Sequence, residues 1–214
     1  MKKSTFVFAS LTAVVLAGCA TFAGSDNKQA TKEMLIKSFE TKGIASIDRL
    51  NQDELQSACS EAELSGKDLD EKQRTRLEAA EMATIKPPSD GKYLGDWTRA
   101  EGIAQSGVGM AWNNTATTVN GGNCYACHQL TKKEISFGTL GPSLYNFGKI
   151  RGVTDPNSPA AKAMVEYTWG KLYNAKAYNA CTNMPRFGHL KGLTEQQLKD
   201  LVAYLLDPKS PVNQ

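Results

Sequence analysis

Cys124-Tyr125-Ala126-Cys127-His128 is the stretch on which the reading of this chain turns. A C-x-x-C-H run is the attachment signature of a c-type haem. Two thiols three positions apart can each add to one of the two vinyl groups of a single porphyrin. The adjoining imidazole then stands over the iron as proximal ligand. The rival uses of Cys-x-x-Cys are a redox dithiol and half of a zinc site. Zinc needs two more ligands at matching spacing, and the sequence has no second Cys-x-x-Cys. A dithiol exchanger has no use for the His and wants a βαβ pattern, which this sequence lacks.

Downstream of the motif, Gly138-Thr139-Leu140-Gly141-Pro142-Ser143-Leu144 contains a Gly-Pro step. Pro142 has no N–H to donate, but its carbonyl can accept a bond. In c-type cytochromes a G-P-x-L segment commonly offers that carbonyl to the proximal His, fixing the ring and raising its basicity. An ordinary type I or II turn uses Gly-Pro equally well. The second axial ligand has to come from elsewhere in the chain or be absent. Met34 and Met82 sit on or beside helical stripes that read as packing, Met110 precedes the motif, and Met164 lies in a helix. Met184 lies in Asn183-Met184-Pro185-Arg186-Phe187-Gly188, a loop between two predicted helices, where a thioether can be presented to iron. His189 in the same loop is the bis-His alternative, and an open or externally filled site is the third.

Working outward, the spacing predicts helices and no strands. Thr194 with Gln197 forms a capping box. It opens a helix whose stripe Leu198, Leu201, Val202, Leu205 and Leu206 ends at Asp207-Pro208. Trp97, Ala100, Ile103 and Ala104 share one face of a predicted helix over 96–106, expected to cross the last one. Residues 160–175 read as another helix. Lys86-Pro87-Pro88-Ser89-Asp90-Gly91 is a breaker. It suggests three parts: a leader over 1–19, a helical N-terminal arm over 20–88, and a haem domain over 89–214. In the arm, Leu35, Ile36 and Phe39 form one apolar stripe. A second short helix carries Leu55 and Cys59, and a third over 68–85 carries Leu77, Ala80 and Met82. Each offers only a narrow apolar face, so the arm is expected to pack on the haem domain or a partner, a flexible linker being the alternative. The predicted fold is all-α, a class I-like cytochrome c domain behind a helical arm.

The chain has 214 residues with 41% hydrophobic content, which is globular composition. Its net charge of +3 includes Lys2 and Lys3, and without residues 1–18 the balance falls to +1. Nothing in that balance suggests a nucleic-acid surface. Lys2-Lys3 followed by the apolar run Phe6 to Leu16 has the layout of a secretory signal, too short to span a bilayer. Leu16-Ala17-Gly18-Cys19 resembles a bacterial lipoprotein box, in which Cys19 is acylated. Plain cleavage after Ala20 or Ala23 is the alternative. Export to the periplasm permits disulfides. With Cys19 in the leader and Cys124 and Cys127 on haem, Cys59 and Cys181 remain as a candidate pair, with two separate buried thiols as the alternative.

The chain resembles the SoxX family, the monohaem cytochrome subunits of SoxAX sulfur-oxidation complexes. The matching pieces are Lys92-Tyr93-Leu94-Gly95-Asp96-Trp97, Ile103-Ala104-Gln105-Ser106-Gly107, Gly122 through His128, and Gly141-Pro142-Ser143-Leu144. Met184-Pro185-Arg186-Phe187-Gly188 and Leu193-Thr194 through Asp207-Pro208 follow in order. The resemblance covers residues 80–214 and is weaker before them. It implies one covalent haem c on Cys124 and Cys127, with His128 and Met184 as iron ligands. It implies no catalytic residue in this chain, which would serve as an electron-transfer subunit of an L-cysteine S-thiosulfotransferase-type complex. There thiosulfate is joined oxidatively to a cysteine of a SoxYZ-type carrier at a SoxA-type partner. Electrons would leave through this subunit to a soluble cytochrome c.

Overall fold

The computed structural model describes residues 25–214, with side chains from residue 29 onward. The leader, and with it Cys19, lies outside the described residues. The chain is all-α: among the described residues there are seven α helices, joined by 3-10 turns and loops, and no strand. None of these helices is long and apolar enough to cross a membrane.

The chain divides into two compact units. The smaller one includes α1 (Ser25–Ser38) and a 3-10 turn over Ile47–Leu50, which Ser46 caps by accepting the amide of Asp48. The predicted stripe in this unit is not packed. Leu35, Ile36 and Phe39 are exposed, as is Met34. The larger unit runs from Gln52 to Gln214, together with residues 43–45. The predicted boundary at Lys86–Gly91 is therefore a bend inside one unit. The reason is hydrogen bonding on both sides of it: the Trp169 indole donates to the Lys86 carbonyl at 2.8 Å, and Ser89 donates through amide and hydroxyl to Glu195.

At the centre of the larger unit is α7 (Glu195–Leu206), closed at its start by the Thr194–Gln197 capping box. Leu198, Leu201, Val202, Leu205 and Leu206 are all buried, each fully buried side chain contributing about 1.5–3 kcal/mol. Lys199, Asp200 and Tyr204 are buried as well, so α7 is enclosed on every side rather than along one stripe. Against it pack α4 (Ala100–Gln105) and α6 (Lys162–Tyr173). The predicted helix over 96–106 begins instead with a 3-10 turn at Trp97–Arg99, because Asp96 caps the Thr98 amide. The approach to α7 there is very close. Gly95 donates its amide to the Lys199 carbonyl, and a Cβ at Gly95 would lie 2.2 Å from Asp200 Oδ1. The short α5 (Phe147–Ile150) is covered by the C-terminal segment, whose Asn213 accepts the Gly148 amide.

The remaining helices are α2 (Glu54–Ser65) and α3 (Glu71–Met82), capped by Asp53 and Asp70. They pack around a small core of Leu55, Ala58, Leu77 and Ala180, partly lined by Cys59 and Leu69. On α3 the predicted apolar face was Leu77, Ala80 and Met82, but only Leu77 is buried. The inward residues are Leu77, Glu78 and Glu81. Glu78 accepts the Ala180 amide, and Glu81 accepts the side chain of the fully buried Asn174 at 2.6 Å. A helix that docks through carboxylates has no hydrophobic periodicity to read.

Candidate haem site

The Cys124–Ala126 segment forms a 3-10 turn, entered through Asn123 in the left-handed conformation (φ 47°). Asn accepts that conformation at lower cost than most side chains. The turn is tied to the end of α4: Gly122 donates to the Ile103 carbonyl and Asn123 to that of Ser106. The amides of Cys127 and His128 both return to the Cys124 carbonyl. This tight turn keeps both thiols and the imidazole within one short piece of backbone.

A strap over residues 138–144 runs along the motif. Gly138 donates to Tyr125, Gly141 to Cys127 and Leu144 to Gln129. It carries the Pro142 carbonyl to 2.7 Å from His128 Nδ1. With Nδ1–H donating to this carbonyl, Nε2 is left with its lone pair for a metal. Gly141 is required for that approach, since a Cβ there would fall 2.1 Å from His128 Cε1.

The two cysteines are not joined to each other. Burial pushes the Cys124 thiol up to about 11, and the nearby Cys127 adds to the shift against an opposing backbone hydrogen bond. A dithiol exchanger needs the opposite, a thiolate at neutral pH. A thioether has no proton to lose and tolerates the apolar setting.

Met184 is half-buried and, like Cys124, packs against the large hydrophobic core. Its loop is anchored at both ends. The amides of Gly188 and His189 both donate to the Tyr173 carbonyl at the end of α6, and Lys176 Nζ donates to the carbonyls of Ala180 and Thr182. Met164 is partly buried against the same core, while Met34, Met82 and Met110 are exposed. His189 is half-buried, and among the described residues its ring has no hydrogen bond of the kind that orients His128. Ligating imidazoles almost always make that second bond, which favours Met184 over His189 in this loop.

Cys59 on α2 is bonded to Cys181 across 122 residues of chain, with Cα atoms 5.4 Å apart. The bond lands three residues before Met184. Two residues after it, Arg186 is buried and pairs with Asp53 (2.6 Å) and Glu81 (3.4 Å). Sequence reasoning passed over this trio. A carboxylate one turn from the lone buried leucine of α3 was the only available signal.

Residues 114–208 match the family model for cytochrome c. A curated relative, an uncharacterized lipoprotein of Aquifex aeolicus (strain VF5), is 34% identical over 195 residues, covering 89% of this chain and 84% of its own length. The chain belongs to the family of that lipoprotein and carries a cytochrome c domain. A cytochrome c domain implies covalently attached haem c and electron transfer. The residues present fit that group: a Cys pair with the His beside it, an imidazole with Nδ1 already engaged, and a glycine where a side chain would strike the ring.

Proposed function

We propose that this cytochrome c domain is the electron-transfer subunit of a SoxAX-type thiosulfate-oxidising complex. Cys124 and Cys127 would hold the haem through thioethers, and His128 and Met184 would be the ligands of its iron. When bound, haem c supplies a one-electron iron couple. The Pro142 carbonyl holds His128 in the tautomer that would leave Nε2 free for the iron. With Met184 as a ligand beside His128, no position would remain on the iron for a substrate, which suits electron passage and gives this chain no catalytic base or nucleophile.

What supports the assignment is the order of motifs from Lys92 to Pro208, which resembles that of the SoxX family and is far more specific than the haem motif alone. The α2–α3 region supports it. A diffusing shuttle needs only the haem-binding core, whereas here α2 is joined to the ligand loop by a disulfide and α3 by the Glu81–Arg186 ion pair. The chemistry on thiosulfate belongs to a SoxA-type partner and a SoxYZ-type carrier, with a soluble cytochrome c as acceptor. The relative's designation as a lipoprotein supports acylation at Cys19 and a periplasmic, lipid-tethered location. Mass spectrometry of the mature N-terminus tests the tether, and an unmodified start at Gly24 would refute it. Purification from thiosulfate-grown cells tests the complex. A co-purifying haem-bearing partner supports it, and a monomer without one supports a free-standing periplasmic shuttle instead.

A further inference from the structure

We infer that Arg186 is the positioning residue of the second axial ligand, held in place by Asp53 and Glu81 so that α2 and α3 determine how firmly Met184 is presented. The inference rests on Met184 being that ligand. Arg186 sits two residues beyond Met184, separated only by the rigid Pro185. Its side chain is 4% exposed, unusual for an arginine in a loop. Its guanidinium meets Asp53 Oδ2 at 2.6 Å through one nitrogen and Glu81 at 3.4 Å through another. Both acids are themselves committed. Asp53 caps α2 by accepting the Gln56 amide through its other oxygen, and Glu81 also accepts the Asn174 amide group. Asn174 in turn caps the 3-10 turn that follows α6.

The loop therefore has no independent path to open. Displacing Met184 outward requires the buried Arg186 to leave two carboxylates, and an uncompensated buried charge is costly. On the other side of Met184, the Cys59–Cys181 bond ties the chain to the same α2. Two restraints of different chemistry thus flank one thioether, and both originate in the segment 53–81. A purely structural salt bridge would stabilise the whole fold. A positioning one changes the opening equilibrium of the loop before the fold is lost.

That distinction can be measured with imidazole as a probe. Imidazole binds ferric haem only when the intrinsic ligand has left, so its apparent affinity scales with the open fraction of the loop. Loss of the weak long-wavelength band of Met-ligated ferric haem reports binding. Titration of the holoprotein is expected to show imidazole binding about tenfold or more tightly to R186Q and D53N than to the parent. R186K, which keeps the charge, should recover part of the difference. D200N, which weakens an ion pair on α7, should lower thermal stability without changing imidazole affinity. Unchanged affinity in R186Q and D53N overturns the positioning role, as does a change in D200N equal to theirs. If R186Q does not fold, D53N decides, since Asp53 is partly exposed and its amide keeps the shape. M184L separates the two ideas. Loss of the band in M184L with unchanged imidazole affinity in R186Q defeats the positioning role alone, whereas a band that persists in M184L defeats the ligand assignment beneath it.

Discussion

His128 Nδ1 lies 2.7 Å from the carbonyl oxygen of Pro142, and nothing but the absence of a side chain at Gly141 permits that distance. The chain leaves the haem motif and returns along it within a sequence separation of 14, so that one carbonyl meets one ring nitrogen. The bond is worth about 1 kcal/mol net, but its main effect is to choose the tautomer that frees Nε2.

Gly141→Ala places a methyl against the imidazole and should push the strap away from the ring. With its N–H no longer engaged, a His128 bound to the haem iron as proposed would be a weaker donor to the ferric state. The midpoint potential is expected to rise by on the order of 20–40 mV, equivalent to ~0.5–1 kcal/mol. Redox titration of the holoprotein measures it. A potential within error of the parent would show that the ring keeps its bond by another route.

Joint replacement of Cys59 and Cys181 by serine removes a bond closing 122 residues. Loop-closure entropy predicts a loss of about 4–5 kcal/mol, or roughly 10 °C or more in Tm. Thermal unfolding followed by circular dichroism checks the value. A fall of less than about 1 kcal/mol would mean that the Asp53–Arg186 pair and the small core of Leu55, Ala58, Leu77 and Ala180 hold α2 in place nearly unaided.

Asp200 is an acid switch for stability on the α4–α7 side. Burial opposes its ionisation, but two bonds from Arg99, the Asp96 amide and the Gln196 side chain outweigh that and hold its pKa below the ordinary 3.8. A carboxylate with a lowered folded pKa contributes stability that is complete above about pH 4 and is lost as pH falls through its folded value. Asp200→Asn should cost about 2 kcal/mol at neutral pH and shrink the acid-induced fall in Tm. Parallel Tm–pH curves for parent and variant between pH 3 and 7 would refute the role.

Gly95→Ala tests the closeness of the approach to α7. The added methyl meets the Asp200 carboxylate at 2.2 Å and its backbone nitrogen at 2.7 Å, so the segment has to retreat. Overpacking of this kind costs about 1–3 kcal/mol. Denaturant unfolding should show a lower midpoint with an unchanged slope. An unaltered midpoint would mean that the segment before α4 shifts freely.

Local chemistry is what the linear order records best. The Cys124–His128 motif, the Gly141-Pro142 step and the Thr194 capping box with its leucine stripe each act within a few residues. Their structures follow from spacing alone, and α7 begins and ends where the cap and Asp207 dictate. Helix α4 was legible in its buried face, Ala100 and Ala104, but not in its 3-10 start, because an Asp cap and a helical turn compete over the same residues.

The arm was read least well. Its stripe at Leu35, Ile36 and Phe39 has helical spacing yet is exposed, and Ala80 and Met82 are exposed as well. What docks α3 is Glu78 and Glu81, which look like solvated charge until Ala180, Asn174 and Arg186 are brought to them from about a hundred residues away. By itself the sequence determined that a haem is bound and that the fold is helical, because those depend on groups adjacent along the chain. Only the tertiary structure decided that Cys59 meets Cys181 and that Asp53 and Glu81 enclose Arg186 beside Met184. Such pairings depend on where distant segments are packed, and the pattern of polar residues along one helix does not encode the partner that will neutralise them.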